Sequence, residues 1–407
     1  MSKETKKKSK TKEPLLKPRK IRIRVVGIGG GGSSIVSDIA RGLKNVSFLL
    51  ADTDSRVFKK AKRGVKVFQF GEKLLGGMGT GMNSEIAFKA ANGEIEKIEK
   101  IFKGQDLSIL VGSLGGGVCS GAGPIFAQGA RNQRNITLGI FTLPFSFEGE
   151  KKMRIAYQAL QKIKESLSGT IVVPNEKIFQ IIDRKTPLKK ALSLLNQIFA
   201  NWLGDLIEII SKPNLINIDF ADLRTILKEQ GEMLFLGQGI GQGQNRVEEV
   251  IKSISQGPIF GEIPKNAKRI LFNITGGKDL KLKEVESVSE SISRFNSKAK
   301  IIFGISENSN CKGKIKVTLL AVSDEEKGKN YKRKKVSLKK NTKSSLELKK
   351  SKIKKVISGK KEKTGGRKKG IRRSALEVKR AEEEEEKKEM TPETDWAIPS
   401  FLRNKLK

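Results

Sequence analysis

Two glycine-rich segments, each lying between an apolar run and a helical pattern, restrict the folds that this chain can adopt. The first reads Gly-Ile-Gly-Gly-Gly-Gly at residues 27–32, and the second reads Gly-Ser-Leu-Gly-Gly-Gly-Val-Cys-Ser-Gly at residues 112–121. Apolar runs at residues 21–27 and 107–112 lead into them. Strands that alternate with helices at this spacing predict a mainly parallel sheet with helices on both faces.

The remaining apolar pattern extends this α/β arrangement. Residues 85–102 carry apolar side chains at helical spacing and predict one long helix. Residues 188–210 predict another, which ends before Pro213. Residues 217–322 alternate between helical and strand patterns and predict a second, smaller α/β unit. Further strands of the first unit are predicted at residues 46–51, 65–70, 136–142 and 170–173.

The chain has no histidine and two cysteines, Cys119 and Cys311. This inventory excludes a disulfide framework, a Cys/His zinc site and catalysis by Ser-His-Asp or Cys-His groups. Acid–base chemistry must therefore use carboxylates, lysine or water. Residues 1–20 lack the apolar run of a signal peptide, and no stretch has the length of a membrane span. We therefore expect a soluble, intracellular protein.

The net charge of +38 predicts attraction to anionic surfaces such as nucleic acid, anionic lipid or an acidic partner. Much of this charge lies outside residues 21–322, where apolar residues are too sparse to form a core. Lysine-rich codon usage would produce the same composition without any such partner. The basic C-terminal segment is followed by Asp-Trp-Ala-Ile-Pro-Ser-Phe-Leu-Arg at residues 395–403. An apolar island tethered in this way predicts a docking peptide, and a random terminus is the simpler alternative.

The glycine-rich segments indicate phosphate binding, because glycine lets backbone N–H groups approach phosphate oxygens at the start of a helix. Residues 27–32 alone also fit a dinucleotide-binding unit, with Asp52 near the position of its ribose-binding acid, which leaves an NAD-dependent oxidoreductase as an alternative. Such an enzyme has no need of the second segment, which is not a P-loop because no Gly-Lys-Ser/Thr follows. A third segment, Gly-Gly-Met-Gly-Thr-Gly-Met-Asn at residues 76–83, is placed to close over a terminal phosphate.

Asn-Ile-Asp-Phe-Ala-Asp at residues 217–222 provides two carboxylates three residues apart at the start of a predicted helix. Both side chains then lie on one side of that helix. Their simplest role is to stabilise the positive end of the helix dipole. The alternative is a pair that polarises an attacking water or holds a cation.

Together these motifs resemble the FtsZ family, the bacterial tubulin-like cell-division GTPases. The resemblance runs from residue 21 to residue 322 and resumes at residues 395–403. The motifs that carry it lie at residues 27–32, 78–83, 115–117, 144–149, 173–177 and 217–222.

The resemblance implies a tubulin/FtsZ-like α/β fold with a parallel-sheet nucleotide-binding domain, a long central helix, a smaller C-terminal α/β domain and a disordered basic tail. The implied boundaries are a basic arm at 1–20, a GTP-binding domain at 21–187, the central helix at 188–212, a C-terminal activation domain at 213–322, a basic linker at 323–392 and a partner-docking peptide at 393–407.

The resemblance also implies the ligand and the mechanism. GTP or GDP binds with Mg²⁺ on its phosphates, and subunits join head to tail, so that the catalytic residues of one subunit enter the nucleotide site of the next. The implied catalytic residues are Asn217, Asp219 and Asp222. The implied nucleotide-binding residues are Gly29, Gly30, Gly31, Gly32, Ser34, Asp52, Gly79, Thr80, Gly81, Gly115, Gly116, Gly117, Val118, Cys119, Ser120, Gly121, Glu148, Lys152, Asn175, Asn196 and Gln197.

The terminal peptide is expected to bind a membrane-anchoring division adaptor, which places the protein in the cytoplasm at the midcell division site. The basic linker is expected to contact anionic lipid or nucleic acid. The implied docking residues are Trp396, Ile398, Pro399, Phe401, Leu402 and Arg403.

The sequence departs from the family pattern inside the nucleotide site. Val118 replaces a hydroxyl residue, and Lys152 replaces an arginine, which keeps the charge and loses bidentate geometry. Around the base, Ser34 replaces an asparagine, Leu192 an aromatic residue and Gln197 an aspartate. Two hypotheses follow: a slower or less selective GTPase, and a scaffold that assembles without productive hydrolysis.

Cys119 replaces a glycine of the second segment and brings a side chain to a place where the backbone approaches phosphate. A thiol at a helix N-terminus should have a lowered pKa. We therefore expect Cys119 to be readily alkylated and to be protected by bound nucleotide.

Overall fold

A computed structural model describes residues 20–323 of the chain, with gaps at 41–42, 44, 184, 212–213, 256–263, 265–266 and 296. Residues 1–19 and 324–407, which hold most of the predicted basic arm and linker and all of the docking peptide, lie outside the described residues.

The described residues form a single mixed sheet. Its strands are β1 (Ile23–Ile28), β2 (Val46–Asp52), β3 (Lys66–Gln69), β4 (Leu107–Ser113), β5 (Ile136–Leu143), β6 (Gly169–Pro174), β7 (Met233–Gln242), β8 (Ala267–Gly276), β9 (Lys300–Glu307) and β10 (Lys314–Ser323). Their spatial order is β3-β2-β1-β4-β5-β6-β7-β10-β8-β9. Neighbours from β3 to β7 are parallel, whereas β10 is antiparallel to both β7 and β8. The predicted mainly parallel α/β sheet is confirmed.

The two predicted units meet in this sheet through a narrow join. Strands β6 and β7 share one residue pair, Thr170 with Met233. Next to it the N–H of Thr170 donates to the carbonyl of Glu232 at 2.9 Å, and the N–H of Gly231 donates to Leu167 at 2.9 Å. The positions of the domain boundaries within this continuous sheet remain predictions.

Helices cover both faces of the sheet. They are α1 (Gly29–Ile39), α2 (Glu72–Leu75), α3 (Ser84–Asn92), α4 (Ile95–Phe102), α5 (Gly117–Asn132), α6 (Glu150–Lys164), α7 (Leu188–Ser211), α8 (Phe220–Ile226), α9 (Arg246–Ser255) and α10 (Leu282–Phe295). Short 3₁₀ segments occupy Ser55–Lys60, Ser146–Glu148, Asn175–Gln180 and Ser309–Cys311. None of the helices in the described part of the chain has the length and apolar character needed to cross a membrane.

The prediction of a single helix at residues 85–102 is wrong. The chain turns at Gly93 and forms two helices, α3 and α4. Glu94 leaves the helical region at φ −124°. Its carboxylate accepts the N–H of Gly71 at 2.9 Å and the ammonium of Lys97 at 2.9 Å. These contacts fix the turn. The helical spacing of apolar residues continues across it, so the sequence pattern gives no sign of the break.

Alternation along β1 places its side chains in two different cores, as the pleat of a strand requires. Ile23 and Val25 join the core that contains α1 and α7. Val26 and Ile28 join the core on the opposite face, which is formed with α3, α4, α5 and α6. A third core lies between the C-terminal strands and helices α9 and α10.

Arg246, at the start of α9, ties this third core together through a buried ion cluster. Its side chain is 7% exposed. Nε and Nη2 donate to the two oxygens of Glu284 at 2.7 Å each, and Nη1 donates to the carboxylate of Asp279.

Replacing Arg246 with methionine should lower the free energy of unfolding by about 2–3 kcal/mol, because breaking a buried ion pair leaves carboxylates without their partner. The figure is below the usual range for such pairs because Asp279 stays partly in water. Urea denaturation followed by circular dichroism measures the change. The control is Arg294→Met, which removes an exposed pair with Glu290 on α10 and should cost less than about 0.5 kcal/mol. Equal effects for the two variants would contradict the role assigned to Arg246.

Candidate functional site

A cavity of about 520 Å³ lies at the carboxyl ends of the parallel strands. This volume is within the usual range for small-molecule sites. The predicted site residues that line it are Gly29, Gly30, Gly31, Asp52, Gly79, Thr80, Gly81, Gly115, Gly116, Gly117, Val118, Cys119, Glu148, Lys152 and Asn175. The fold thus brings the three glycine-rich segments to one place.

Two helices begin at this cavity inside the glycine runs themselves. Helix α1 starts at Gly29 and α5 starts at Gly117, so the first N–H groups of both helices belong to cavity residues. Within the described residues no side chain caps either N-terminus. Unpaired N–H groups and two positive dipole ends pointing at one cavity favour an anion with several oxygens, such as a polyphosphate.

The glycines of the cavity fall into two groups, which differ in what an added Cβ would meet. At Gly30 and Gly116 a Cβ would have no neighbour within 4 Å, so these residues face open space. At Gly31 a Cβ would lie 2.3 Å from Ser113 Oγ, and at Gly117 it would lie 2.3 Å from Thr80 Oγ1. The first group leaves the backbone accessible to a ligand, and the second lets the loops pack against each other.

An arginine at the rim escaped the sequence analysis. Arg56 lies four residues after the end of β2 and forms a bidentate pair with Asp54, with contacts of 2.9 Å and 2.8 Å. This pairing lowers the pKa of the Asp54 carboxyl. Asp52, which is buried, has a raised pKa because burial disfavours its charged form.

The other lining residues, which the sequence analysis did not name as site residues, are Ile28, Val57, Met78, Met82, Ser113, Leu114 and Pro144.

Lys152 and Glu148 lie one turn apart at another edge of the cavity. The ammonium of Lys152 donates to Glu148 Oε2 at 2.9 Å, and Glu148 Oε1 accepts the N–H of Phe145 at 2.9 Å. The pair fixes the turn before α6 and holds a positive charge at the rim. Asn175, the first residue of the Asn175–Gln180 segment, lines the cavity beside them.

Several predicted nucleotide-binding residues lie outside the cavity lining and have packing roles. A Cβ on Gly32 would lie 2.4 Å from the carbonyl oxygen of Val111, and one on Gly121 would lie 2.0 Å from that of Ser84. These two glycines therefore allow α1 to approach β4 and α5 to approach α3. Ser120 Oγ accepts the N–H of Gly115 at 2.9 Å and shapes the loop.

The predicted base-contacting residues also lie outside the cavity lining, on two neighbouring helices. Ser34 is exposed on α1, and Gln197 is exposed on α7. Asn196 is buried on α7, and its amide donates to Asp38 of α1 at 2.8 Å.

The prediction of a reactive, low-pKa thiol at Cys119 is wrong. The side chain is 4% exposed and belongs to the core under α5, where its Sγ would lie 2.1 Å from a Cβ on Gly112. Burial, with a further contribution from the charge of Asp52, raises the pKa of the thiol to about 12. Because Sγ points into the core, the Cys119 side chain does not block the approach to its backbone. Of the two substitutions in the second glycine-rich segment, Val118 is the one that alters the cavity surface.

The predicted catalytic segment lies at the opposite end of α7 from the cavity. Helix α7 contacts the Asn175–Gln180 segment that precedes it in the chain, and its Asn196 meets Asp38 of α1, the helix that begins in the cavity. It has 24 residues and is therefore about 36 Å long. Just beyond its end, Asn214 Nδ2 donates to the carbonyl of Ile209 at 3.2 Å, and Ile216 pairs with Ile305 of the edge strand β9.

Asp219 and Asp222 form a reciprocal cap at the start of α8. Asp219 Oδ1 accepts the N–H of Asp222 at 2.8 Å, and Asp222 Oδ2 accepts the N–H of Asp219 at 3.0 Å. Asn217 Oδ1 accepts the N–H of Asn214 and closes the preceding loop. The sequence suggested that these carboxylates stabilise the helix dipole, and the structure adds a hydrogen-bonded cap that orients both carboxylates at the protein surface.

Among the residues that the structure describes, no group of three or more Asp, Glu or Cys side chains is placed to hold a metal ion. Asp54 and Glu148 at the cavity are already paired with Arg56 and Lys152. A divalent cation in this cavity would therefore be held mainly by the oxygens of a ligand and by water, as is usual for Mg²⁺.

Comparisons with known proteins agree with this geometry. Residues 22–183 match the family described as Tubulin/FtsZ family, GTPase domain, and residues 232–323 match the FtsZ family, C-terminal domain. The chain is 33% identical over 302 residues to the cell division protein FtsZ of Buchnera aphidicola subsp. Acyrthosiphon pisum (strain APS), which covers 74% of this chain and 78% of that protein.

Solved structures give the same result. A dimer of FtsZ from M. jannaschii superposes with a TM-score of 0.67 at 29% identity, covering 75% of this chain and 89% of that chain. A GTPγS-bound protofilament of CetZ2 from Haloferax volcanii superposes with a TM-score of 0.64 at 17% identity, covering 83% of this chain and 99% of that chain. The second likeness concerns the fold alone.

The buried position of Cys119 leads to a labelling prediction. In a Cys311→Ser variant, iodoacetamide at pH 8 should alkylate the native protein slowly, because a thiol with a pKa near 12 is about one part in 10⁴ thiolate at that pH. The rate should rise steeply in denaturant and should not change when nucleotide is added. Mass spectrometry of quenched samples measures the rate. Rapid, nucleotide-sensitive labelling of the native variant would restore the reactive-thiol prediction.

Proposed function

The chain belongs to the tubulin/FtsZ family of GTPases, and from this premise we propose that it is a polymerising cell-division protein that hydrolyses GTP where two subunits meet. The observation that carries the proposal is that the start of α7 lies on the cavity side of the subunit, whereas Asp219 and Asp222 follow its end. Because α7 is about 36 Å long, this carboxylate pair is out of reach of a ligand in the cavity of its own subunit. It can act on the ligand of a neighbour.

In this proposal GTP binds with its phosphates over the starts of α1 and α5. A Cβ on Gly30 or Gly116 would meet no atom within 4 Å, so a phosphate has room to approach the backbone at these two residues. Lys152 and Arg56 at the rim are paired with Glu148 and Asp54, and each keeps further N–H groups that can donate to the phosphates. Mg²⁺ is held by the phosphates and water, since the cavity carboxylates are paired or buried.

Hydrolysis requires a water held in line with the terminal phosphate. Asp219 and Asp222 of the adjacent subunit are suited to this, because their mutual cap fixes both carboxylates and leaves one oxygen of each to accept a hydrogen bond from water. Asn217 holds the loop that carries them. Because neither surface is complete alone, turnover depends on assembly.

The same arrangement makes the contact between subunits heterologous. One end of the molecule, with the cavity, meets the other end, with α8, and repeating that contact produces an open filament. Loss of the terminal phosphate removes charge and contacts at the joint, so hydrolysis weakens the filament. We place this filament at the midcell division site in the cytoplasm, where the terminal peptide at residues 393–407 binds a membrane-anchoring adaptor and the basic linker binds anionic lipid or nucleic acid.

A filament scaffold with little hydrolysis is the second candidate. It is favoured by Val118, whose apolar side chain lines the cavity where a hydroxyl would bind phosphate or cation. A lost hydrogen bond to a charged group costs about 1.5–3 kcal/mol. The capped geometry of Asp219 and Asp222 favours the active enzyme.

A mixing experiment tests the shared site. Asp219→Asn keeps an oxygen to cap α8 and removes the charge. The variant should therefore fold normally, and its GTPase rate should fall by at least about tenfold. Gly116→Ala should lose activity because the added methyl group obstructs GTP binding in its cavity. Mixed in equal amounts, the two should release phosphate faster than the sum of their separate rates, because some joints combine an intact cavity with an intact Asp219.

A mixture that only equals the sum of the separate rates would show that Asp219 does not act between subunits. Glu290→Gln, which removes an exposed carboxylate on α10, is the matched control and should keep the wild-type rate. Sedimentation with GTP and no phosphate release from the wild type would select the scaffold.

The open glycines give a binding prediction. Gly30→Ala and Gly116→Ala should leave the melting temperature nearly unchanged, because the new methyl group meets no atom within 4 Å. Each should weaken GTP binding by at least about tenfold, because the methyl group occupies the space through which a phosphate approaches the backbone. Equilibrium titration with a fluorescent GTP analogue measures the affinity. Wild-type affinity in both variants would place the phosphates elsewhere.

A further inference from the structure

The contact between α1 and α7 contains a carboxylate that the sequence analysis did not single out. Asp38 lies in the last turn of α1, and its side chain is 34% exposed. It faces α7, where Gln197 occupies the place at which the family resemblance implies an aspartate. The inference below rests on the proposed function, since it concerns the base of the same nucleotide.

A buried amide holds the Asp38 carboxylate in place. Asn196 is 6% exposed, and its Nδ2 donates to Asp38 Oδ2 at 2.8 Å. On the other side, Lys62 Nζ lies 3.9 Å from Asp38 Oδ1 and donates to the carbonyl of Ser37. Asp38 is therefore fixed by one neutral and one positive neighbour, and a third of its surface remains open to a ligand.

Helix α1 leads from the phosphate cavity to Asp38. It begins in the cavity at Gly29, and Asp38 lies nine residues further, about 13 Å along the axis. The two helices run in the same direction, because Asp38 meets Asn196, and Leu43, just after the end of α1, lies beside Gly204 further along α7. The start of α7 therefore lies on the cavity side of Asp38.

Two side chains one turn closer to the cavity are accessible to a ligand. Ser34 precedes Asp38 by four residues on α1, and Leu192 precedes Asn196 by four residues on α7, so each shares a helix face with its partner. Both are exposed. A base that extends from the phosphate cavity along α1 and α7 would have an apolar contact at Leu192 and would meet Asp38 at its far edge.

We propose that Asp38 recognises the guanine base of the bound nucleotide, accepting hydrogen bonds from its N1–H and 2-amino groups, with Asn196 as a positioning residue. A carboxylate accepts at two oxygens and donates at neither, which matches the donor edge of guanine and repels the N1 acceptor of adenine. Gln197 offers one accepting oxygen and no charge. The carboxylate that selects guanine has moved, in this chain, from α7 to α1.

The test is nucleotide binding by the full-length protein, measured by competition of GTP, ITP, XTP and ATP against a fluorescent GTP analogue below the assembly concentration. Xanthine carries a carbonyl in place of the 2-amino group of guanine, so it suits an amide better than a carboxylate. Asp38→Asn should lower the ratio of GTP to XTP affinity by at least about tenfold, the effect of one hydrogen bond to a charged group. Adding Gln197→Asp to this variant should restore the preference for GTP.

A purely structural role for Asp38 would weaken GTP and XTP binding equally and lower the melting temperature, and that result would overturn the inference. Asn196→Ala provides a second test: it should reduce discrimination between GTP and ITP, which lacks the 2-amino group, because a misplaced Asp38 weakens two hydrogen bonds to GTP and one to ITP. Unchanged discrimination in both variants would also overturn it. If the wild type prefers GTP and these variants keep that preference, only this inference fails, whereas a wild type without guanine nucleotide binding removes the proposed function as well.

Discussion

Two helix starts without side-chain caps, held side by side by parallel strands, are the feature on which the rest of this structure depends. The register of β1 against β4 pairs Gly27 with Val111 and Ile28 with Gly112, so α1 and α5 begin at the same edge of the sheet. Unpaired N–H groups at a helix start need a partner, and here they surround a cavity. Any polyphosphate bound there supplies the missing acceptors, and the surrounding loops are arranged around that requirement.

The central helix α7 gives this cavity a counterpart on the other side of the molecule. Its buried aromatic residues Phe199 and Trp202 fix it within the main core. Its length then places the capped aspartates of α8 far from the cavity of the same subunit. A rigid spacer of this kind makes one subunit insufficient for hydrolysis, which is the physical reason to couple turnover to assembly. The narrow join between β6 and β7 links the two ends within one sheet.

Many elements followed from local sequence. The parallel strands, the glycine-rich turns and the position of Asp219 and Asp222 at the start of a helix each depend on residues close together in the chain, where periodicity and turn chemistry are informative. The break at Gly93 was missed because the helical spacing of apolar residues continues across it. Helix α6 was missed because its many lysines make its apolar pattern hard to see. Arg56 and Asp54 escaped notice because a pair two residues apart in a loop has no distinctive pattern.

The sequence by itself determined that glycine-rich turns meet at one sheet edge, that histidine chemistry is absent and that two carboxylates lie at the start of one helix, because these depend on composition and short spacing. Only the tertiary structure decided where side chains point. It buried Cys119 in the core and raised its pKa, against the expectation for a helix start, because desolvation outweighs the helix dipole. It also joined Asp38 to Asn196, 158 residues apart, a contact that no local pattern records.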